Sequence, residues 1–341
     1  MNKNNFIILP EQTRRNAFIE AAARKALPAA AIEKDWWATA VLHALFSLPY
    51  YDQLSFKGGT SLSKCYNLIE RFSEDIDIAI NREKLGFIGT LSKTQISDKL
   101  RRAACKFVRE KLKFDVENQL KVNGIIENLF SVSVDVTPIT TTDPEIIYVT
   151  YQSLFDENDY ANDYIKPIVK IEVSGRSMNE PLQTIKVQSI VDEVFTGMPF
   201  TNPVFETKAV VPERTFWEKI CLLHEEFAKS QELIRTERMS RHLYDLGKIM
   251  NTEIVHKAFS DKKLYNSIVE HRSIFIGLKG FDYSTLATKT IKIIPPEIVI
   301  AQWQKDYEIM QKEMIYGESL PFTILVEKIK QLNERINNIE W

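Results

Sequence analysis

Two aspartates, Asp75 and Asp77, stand two residues apart in the run Asp75-Ile-Asp-Ile-Ala-Ile80. The period of two predicts a β-strand, on which both carboxylates project from one face. Side-by-side carboxylates repel, so they call for a cation. An all-oxygen ligand set favours Mg²⁺, which binds through one or two carboxylates plus substrate phosphates. Sixteen residues upstream of Asp75 ends Gly58-Gly59, the one adjacent glycine pair in a chain with only 11 glycines. A glycine pair opening a helix lets backbone N–H groups approach a phosphate, and a helix N-terminus favours negative charge. In this order the two features predict metal-assisted phosphoryl or nucleotidyl transfer. A third carboxylate is expected from a neighbouring strand. Glu172, in Ile168-Val-Lys-Ile-Glu-Val173, shares a strand face with Lys170 and fits; Asp135, in Val132-Ser-Val-Asp-Val136, is the rival.

These residues need elements to hold them. Residues 11–48 read as helical, with a break at Pro28. Leu54–Lys57 reads as a short strand running into the glycines, and Leu62, Cys65, Tyr66 and Ile69 follow at helical spacing. A helix is predicted over Ser97–Lys113. Strands are predicted at Leu129–Val136, Ile146–Tyr151, Ile168–Val173 and Thr184–Val191. After Pro212 the pattern becomes wholly helical. The expectation is an α+β protein: residues 1–210 form a mixed-sheet catalytic domain with N-terminal helices, and residues 211–341 a helical domain completing the active-site cleft.

Composition narrows the class. The chain has 341 residues, 44% of them hydrophobic and 26% charged, which excludes disordered and low-complexity classes. A formal net charge of −2 excludes coating nucleic acid by bulk electrostatics. Three widely spaced cysteines and five histidines without ligand spacing argue against zinc and disulfides, and for a reducing, cytoplasmic setting. No stretch has the length and apolarity of a signal peptide or membrane span. Lys57-Gly-Gly-Thr-Ser-Leu-Ser-Lys64 is not a Walker A loop, because Ser63 rather than glycine precedes Lys64. Residues Arg101–Lys113 carry six bases and one acid, a surface able to follow an RNA backbone or simply a solvated face. The acidic loop Asp156–Asp163 would repel RNA. Trp36-Trp37 reads as core packing in preference to a base-stacking platform.

Phe56-Lys-Gly-Gly-Thr-Ser-Leu-Ser-Lys64 followed by Arg71-Phe-Ser-Glu-Asp-Ile-Asp-Ile78 resembles the AbiEii/AbiGii nucleotidyltransferase toxins of the polymerase-β-like superfamily. The resemblance extends to Ile32-Glu-Lys-Asp-Trp-Trp37, Pro212-Glu-Arg-Thr-Phe-Trp-Glu-Lys-Ile220, Arg241-His-Leu-Tyr-Asp-Leu246 and the tail from Asp306-Tyr307 to Gly317. It implies that Gly58, Gly59, Thr60 and Ser61 cradle an NTP, that Asp75, Asp77 and Glu172 hold Mg²⁺, and that Lys219 contacts the triphosphate. Asp245 would position Lys219 or the nucleotide, and the expected nucleotide-binding set takes in Lys57, Lys170 and Arg241. Arg241, Asp245 and Lys248 share one helical face. His242 departs from the aspartate expected there in many relatives. The resemblance further implies a toxin of a toxin–antitoxin or abortive-infection system, a cognate antitoxin, and transfer of NMP to an acceptor such as the tRNA 3′ end, as in the MenT branch. Transfer to a small molecule or protein, and a catalytically silent binding module, are the alternatives.

Overall fold

The computed structural model describes residues 4–73, 75–135, 137–139, 143–155 and 166–341. The acidic loop Asp156–Asp163 and the last residue of the first long predicted strand, Val136, lie outside the described residues. The chain divides into two compact units. The first comprises Met1–Cys65 and Phe72–Val210, the second Tyr66–Arg71 and Val211–Trp341.

The first unit is built on one seven-stranded mixed sheet. Its strands are β1 (Leu54–Lys57), β2 (Asp75–Ile80), β3 (Phe130–Val134), β4 (Glu145–Tyr151), β5 (Ile168–Ser174), β6 (Leu182–Val187) and β7 (Phe205–Val210). Their order across the sheet is β3-β4-β5-β2-β1-β7-β6. β2 pairs parallel to β5 and antiparallel to β1, while β1 pairs parallel to β7. The alternation that predicted strands is the alternation of burial. Ile76, Ile78, Val169, Ile171 and Val173 are fully buried, with Asp75, Asp77, Lys170 and Glu172 half-buried between them.

Helices α1 (Glu11–Lys25) and α2 (Ala29–Phe46) each start directly after a proline, Pro10 and Pro28. α2 is apolar on nearly every side and lies in the same apolar cluster as the sheet. Trp36 and Trp37 are buried there, and Trp37 stacks on Tyr151 with ring centroids 4.9 Å apart. α3 (Gly58–Lys64) is short, and its last residue, Lys64, is held by Asp35 of α2 at 2.5 Å.

The predicted helix over Ser97–Lys113 is longer than expected. Residues 95–122 are continuously helical through α4 (Arg101–Phe107) and α5 (Lys113–Val122), with π-helical turns at Gln95–Leu100 and Val108–Leu112. Its basic face is largely neutralised. Arg102 pairs with Asp98, Lys106 with Glu110 and Lys111 with Asp115, each one helical turn away, while Arg109 reaches Glu145 of β4. The expected strand over 184–191 ends at Val187, because Ser189 caps a short helix, α6 (Ile190–Val194), accepting from the Asp192 amide at 3.1 Å.

The second unit is helical: α7 (Pro212–Phe227), α8 (Ser240–Ile249), α9 (Glu253–Ser260), α10 (Lys262–His271), α11 (Glu297–Glu313) and α12 (Phe322–Asn337). Pro212, Pro296 and Pro321 punctuate the starts of α7, α11 and α12. α9 and α10 are separated at Asp261, whose side chain caps α10 by accepting from the Leu264 amide. α8 has no side-chain cap of its own. Asp306 of α11 does that work, accepting from the backbone amides of Arg238 and Ser240 and from the Ser240 hydroxyl. Among the described residues no helix is long and apolar enough to cross a membrane.

Candidate nucleotidyl-transfer site

Strand register brings the predicted residues of the first unit into rows. Asp77 is the Cα partner of Lys57 on one side and of Glu172 on the other; Asp75 is the partner of Lys170. Paired residues on adjoining strands share a face, so Lys57, Asp75, Asp77, Lys170 and Glu172 occupy one surface of the sheet. The opposite surface carries the buried isoleucines and valines. Asp135 stands just beyond β3 at the sheet edge, and its partner Tyr148 is the Cα partner of Lys170 on the same face. Asp135 is exposed and accepts a hydrogen bond from the Tyr148 hydroxyl at 3.0 Å.

The glycine turn meets this row at Asp77. Gly58 has φ +79°, in the region that favours glycine. A Cβ there would sit 2.0 Å from Asp77 Oδ2 and 3.2 Å from Asp77 Cβ. Gly58 is therefore what allows the carboxylate to lie against the start of α3. The Thr60 hydroxyl bonds the Asp75 carbonyl and lies 2.8 Å from Ser73 Oγ, and the Ser61 hydroxyl donates to the Gly58 carbonyl at 3.0 Å. Both hydroxyls brace the turn from within. What the turn offers an anion is the row of first-turn amides, for which Lys57 provides no side-chain cap. Lys57 Nζ lies 3.7 Å from Asp77 Oδ1, a loose ion pair about a quarter exposed.

Gly58→Ala is expected to move Asp77 or unwind the turn. The rate of transfer should fall about 10²-fold, the usual consequence of displacing a reacting group by ~1 Å. Folding should lose ~1–2 kcal/mol from the left-handed backbone. Parallel initial-rate and thermal-melt measurements check both; a variant with unchanged rate would show that the close approach is not needed.

The donor chemistry of this face fits a hard divalent cation, with carboxylate oxygens only and no imidazole or thiolate among them. Among the described residues no three His, Cys, Asp or Glu side chains already form a group that could hold a metal ion.

The second unit assembles Lys219, Asp245 and His242 from the later motifs around a residue to which the sequence assigned no role, Arg71. Arg71 grips Asp245 with both prongs of its guanidinium, Nε to Oδ1 at 2.7 Å and Nη2 to Oδ2 at 2.8 Å. Lys219 Nζ lies 2.8 Å from Asp245 Oδ2 and 3.3 Å from His242 Nδ1. Asp245 is fully buried and Arg71 is 2% exposed, so Asp245 is not part of a solvated surface pair with Arg241. Burial alone would raise the Asp245 pKa, but Arg71 and Lys219 outweigh it and hold the carboxyl well below its usual range. Burial, reinforced by the Arg71 charge, lowers the Lys219 pKa against the pull of Asp245. Burial and the nearby Lys219 and Arg241 charges push His242 well down, so its imidazole is neutral. Two cations thus share one carboxylate.

Arg71 is held from the tail. It bridges to Ile315, and the Tyr316 and Gly317 amides donate to the Glu70 carbonyl at 3.1 and 3.3 Å. A Cβ on Gly317 would lie 2.3 Å from Glu70 Oε2, which explains glycine at that position. Lys248 pairs with Glu70 and not with the buried cluster. Arg71 was visible only as part of a motif; its partner is 174 residues away, a distance that no local pattern spans.

An α+β chain that lines acids beside a glycine turn on one sheet face, and carries a buried lysine–aspartate pair in a helical unit, has the make-up of a nucleotidyl-transfer enzyme. The model of the family described as nucleotidyl transferase AbiEii toxin, type IV TA system, matches residues 41–332, and the chain belongs to that family of nucleotidyltransferase toxins. It is similar over 95% of its length to 97% of MenT4, a nucleotidyltransferase toxin of Mycobacterium tuberculosis, at 15% identity and a TM-score of 0.43. It is also similar over 90% of its length to 96% of JHP933 from Helicobacter pylori, at 15% identity and a TM-score of 0.33. No curated protein matches the chain.

Proposed function

We propose that this nucleotidyltransferase moves NMP from an NTP to an acceptor hydroxyl in a Mg²⁺-dependent reaction, with the 3′ end of tRNA as the acceptor, and that a cognate antitoxin restrains it in the cytoplasm. The observation that carries the reading is the register row Lys57–Asp77–Glu172, with Asp75 and Lys170 beside it and Gly58 closed against Asp77. Asp75, Asp77 and Glu172 would hold the metal. When bound, Mg²⁺ supplies Lewis-acid polarisation of the phosphates and lowers the pKa of the attacking hydroxyl. The amides of Gly58, Gly59, Thr60 and Ser61 would bind the phosphates, with Lys57 and Lys170 adding positive charge at the same face. Glu172 is suited to accept the acceptor's proton. Lys219 and Arg241 would offset charge building on the departing pyrophosphate, and Asp245 would hold Lys219 in place.

The RNA contact in this reading is local. Four of the six bases on the long helix are answered by acids, so they offer little for a phosphate track. The expected salt dependence of RNA binding is accordingly shallow. The test is incubation of the protein with Mg²⁺, total RNA and each α-labelled NTP separately. Label entering tRNA-sized RNA, with pyrophosphate released, is the expected result. Label entering only a small molecule or a protein would move the acceptor to that class. Absence of pyrophosphate release with every NTP would reduce the chain to a binding module.

A further inference from the structure

The Lys219 ammonium has three protons and two neighbours of different kind. Asp245 Oδ2, a charged acceptor, is at 2.8 Å, and His242 Nδ1 is at 3.3 Å. With the imidazole neutral, Nδ1 accepts from Lys219 and the ring proton sits on Nε2. The third ammonium proton has no protein acceptor among the described residues. Asp245 is already engaged on both oxygens by Arg71. An acidic side chain in place of His242 would set a second anion beside the Lys219 ammonium. The imidazole satisfies the lysine's geometry without cancelling its charge.

We infer that His242 is a positioning residue: it steers the Lys219 ammonium so that its remaining proton faces a phosphate anion, and as an uncharged acceptor it sets no second negative charge against that ammonium. The inference rests on Lys219 being the phosphate contact. The charged groups bearing on Lys219 are Arg71 from the 66–71 segment and Arg241 and Asp245 from α8. Tyr244 and Arg238 act on Arg71. Glu225, further along α7, is taken by Arg272.

Inorganic triphosphate is the probe, since it carries the phosphates without a base. Its affinity for the full chain is measured by calorimetry from neutral to alkaline pH, beside transfer to total RNA, for wild type, K219M, H242D, H242N and H242L. Wild type should lose affinity as Lys219 deprotonates, at a pH below the ~10.4 of a free lysine. H242D adds a negative charge: affinity near neutrality should fall about tenfold, and the alkaline loss should move up by about one pH unit. H242L should lose about tenfold, as expected for a missing hydrogen bond to a charged group, and H242N should recover most of that loss with the alkaline loss unmoved. K219M should bind weakly and show no alkaline loss. A merely space-filling role for His242 would lower melting temperatures but leave the pH profile of H242D on that of wild type, and that result overturns the inference. An H242N protein no better than H242L overturns it too. K219M binding and transferring like wild type would instead overturn the assignment of Lys219. Should H242D fail to fold, ¹⁵N-histidine spectra of wild type decide. One imidazole, identified by its absence from H242N, should stay neutral with Nδ1 unprotonated below pH ~6.5, where an ordinary histidine charges; titration at the ordinary value would overturn the inference.

Discussion

Asp77→Ala should abolish detectable transfer, with a loss on the order of 10³-fold or more, while leaving the protein folded. Asp77 is the member of the row with a functional neighbour on each side, Lys57 on β1 and Glu172 on β5, and it is the acid against which the glycine turn closes. In the proposed reaction, removing it would take away a metal ligand and the contact between the acid row and the amides proposed to bind phosphate. A metal's stabilisation of phosphoryl charge is worth several kcal/mol, and ~4 kcal/mol corresponds to ~10³ in rate. The structural cost is small by comparison. Asp77 is about a quarter exposed, and its ion pair with Lys57 is 3.7 Å long. Such pairs contribute ~0–1 kcal/mol. The check is label transfer to RNA alongside a thermal melt, with Glu172→Ala and Asp135→Ala as companions. Glu172→Ala should fall with Asp77→Ala. Asp135→Ala should match wild type, because that side chain is exposed at the sheet edge and bonded to Tyr148. Undiminished transfer in Asp77→Ala would sink the proposed reaction.

What could be read from the sequence was whatever is encoded within a few residues. The alternation in Asp75–Ile80 gave β2 with its acids on one face, and Gly58-Gly59 marked the strand-to-helix turn. Pro212 marked the start of α7. The neutralisation of the basic helix was also local in large part. Asp98, Glu110 and Asp115 sit four residues from their partners, but counting charges only within 101–113 left two of these acids out. β7 was missed, because Phe205–Val210 carries Glu206 and Lys208 among its apolar residues and is recognisable mainly by its pairing with β1 and β6. The detour of Tyr66–Arg71 into the second unit has no local signature at all, and with it went Arg71. The tail motif has a similar explanation. Asp306 caps α8 and Gly317 makes room for Glu70, so residues near the end of the sequence hold elements that carry Lys219's partners. The sequence could show that these residue types recur in a pattern. It could not show which distant backbone they serve.

Asp245→Asn should destabilise the protein by ~3–5 kcal/mol, the range for removing one partner of a buried charge pair. The substitution keeps the shape, turns one acceptor oxygen into an NH2 donor that faces other donors, and deletes the negative charge that Arg71 and Lys219 share in the buried cluster. Two cations would then face each other in a low-dielectric setting, which is more costly than the loss of a single salt bridge. The sign of the pH dependence follows from the depressed native pKa of Asp245. Burial opposes the depression, but Arg71 and Lys219 overcome it. A carboxylate with its native pKa below the unfolded value of ~3.9 contributes its full stability above that value and loses it as pH falls toward the native one. The stability gap between wild type and Asp245→Asn should therefore be widest above pH ~5 and narrow below pH ~4. Denaturant unfolding followed by tryptophan fluorescence at several pH values measures it. The double variant Asp245→Asn with Lys219→Met supplies the decisive comparison: deleting one of the stranded cations should recover part of the loss, which additive, unrelated effects would not do. A double variant as unstable as the sum of its parts would mean that the cost of Asp245→Asn lies in packing and not in uncompensated charge.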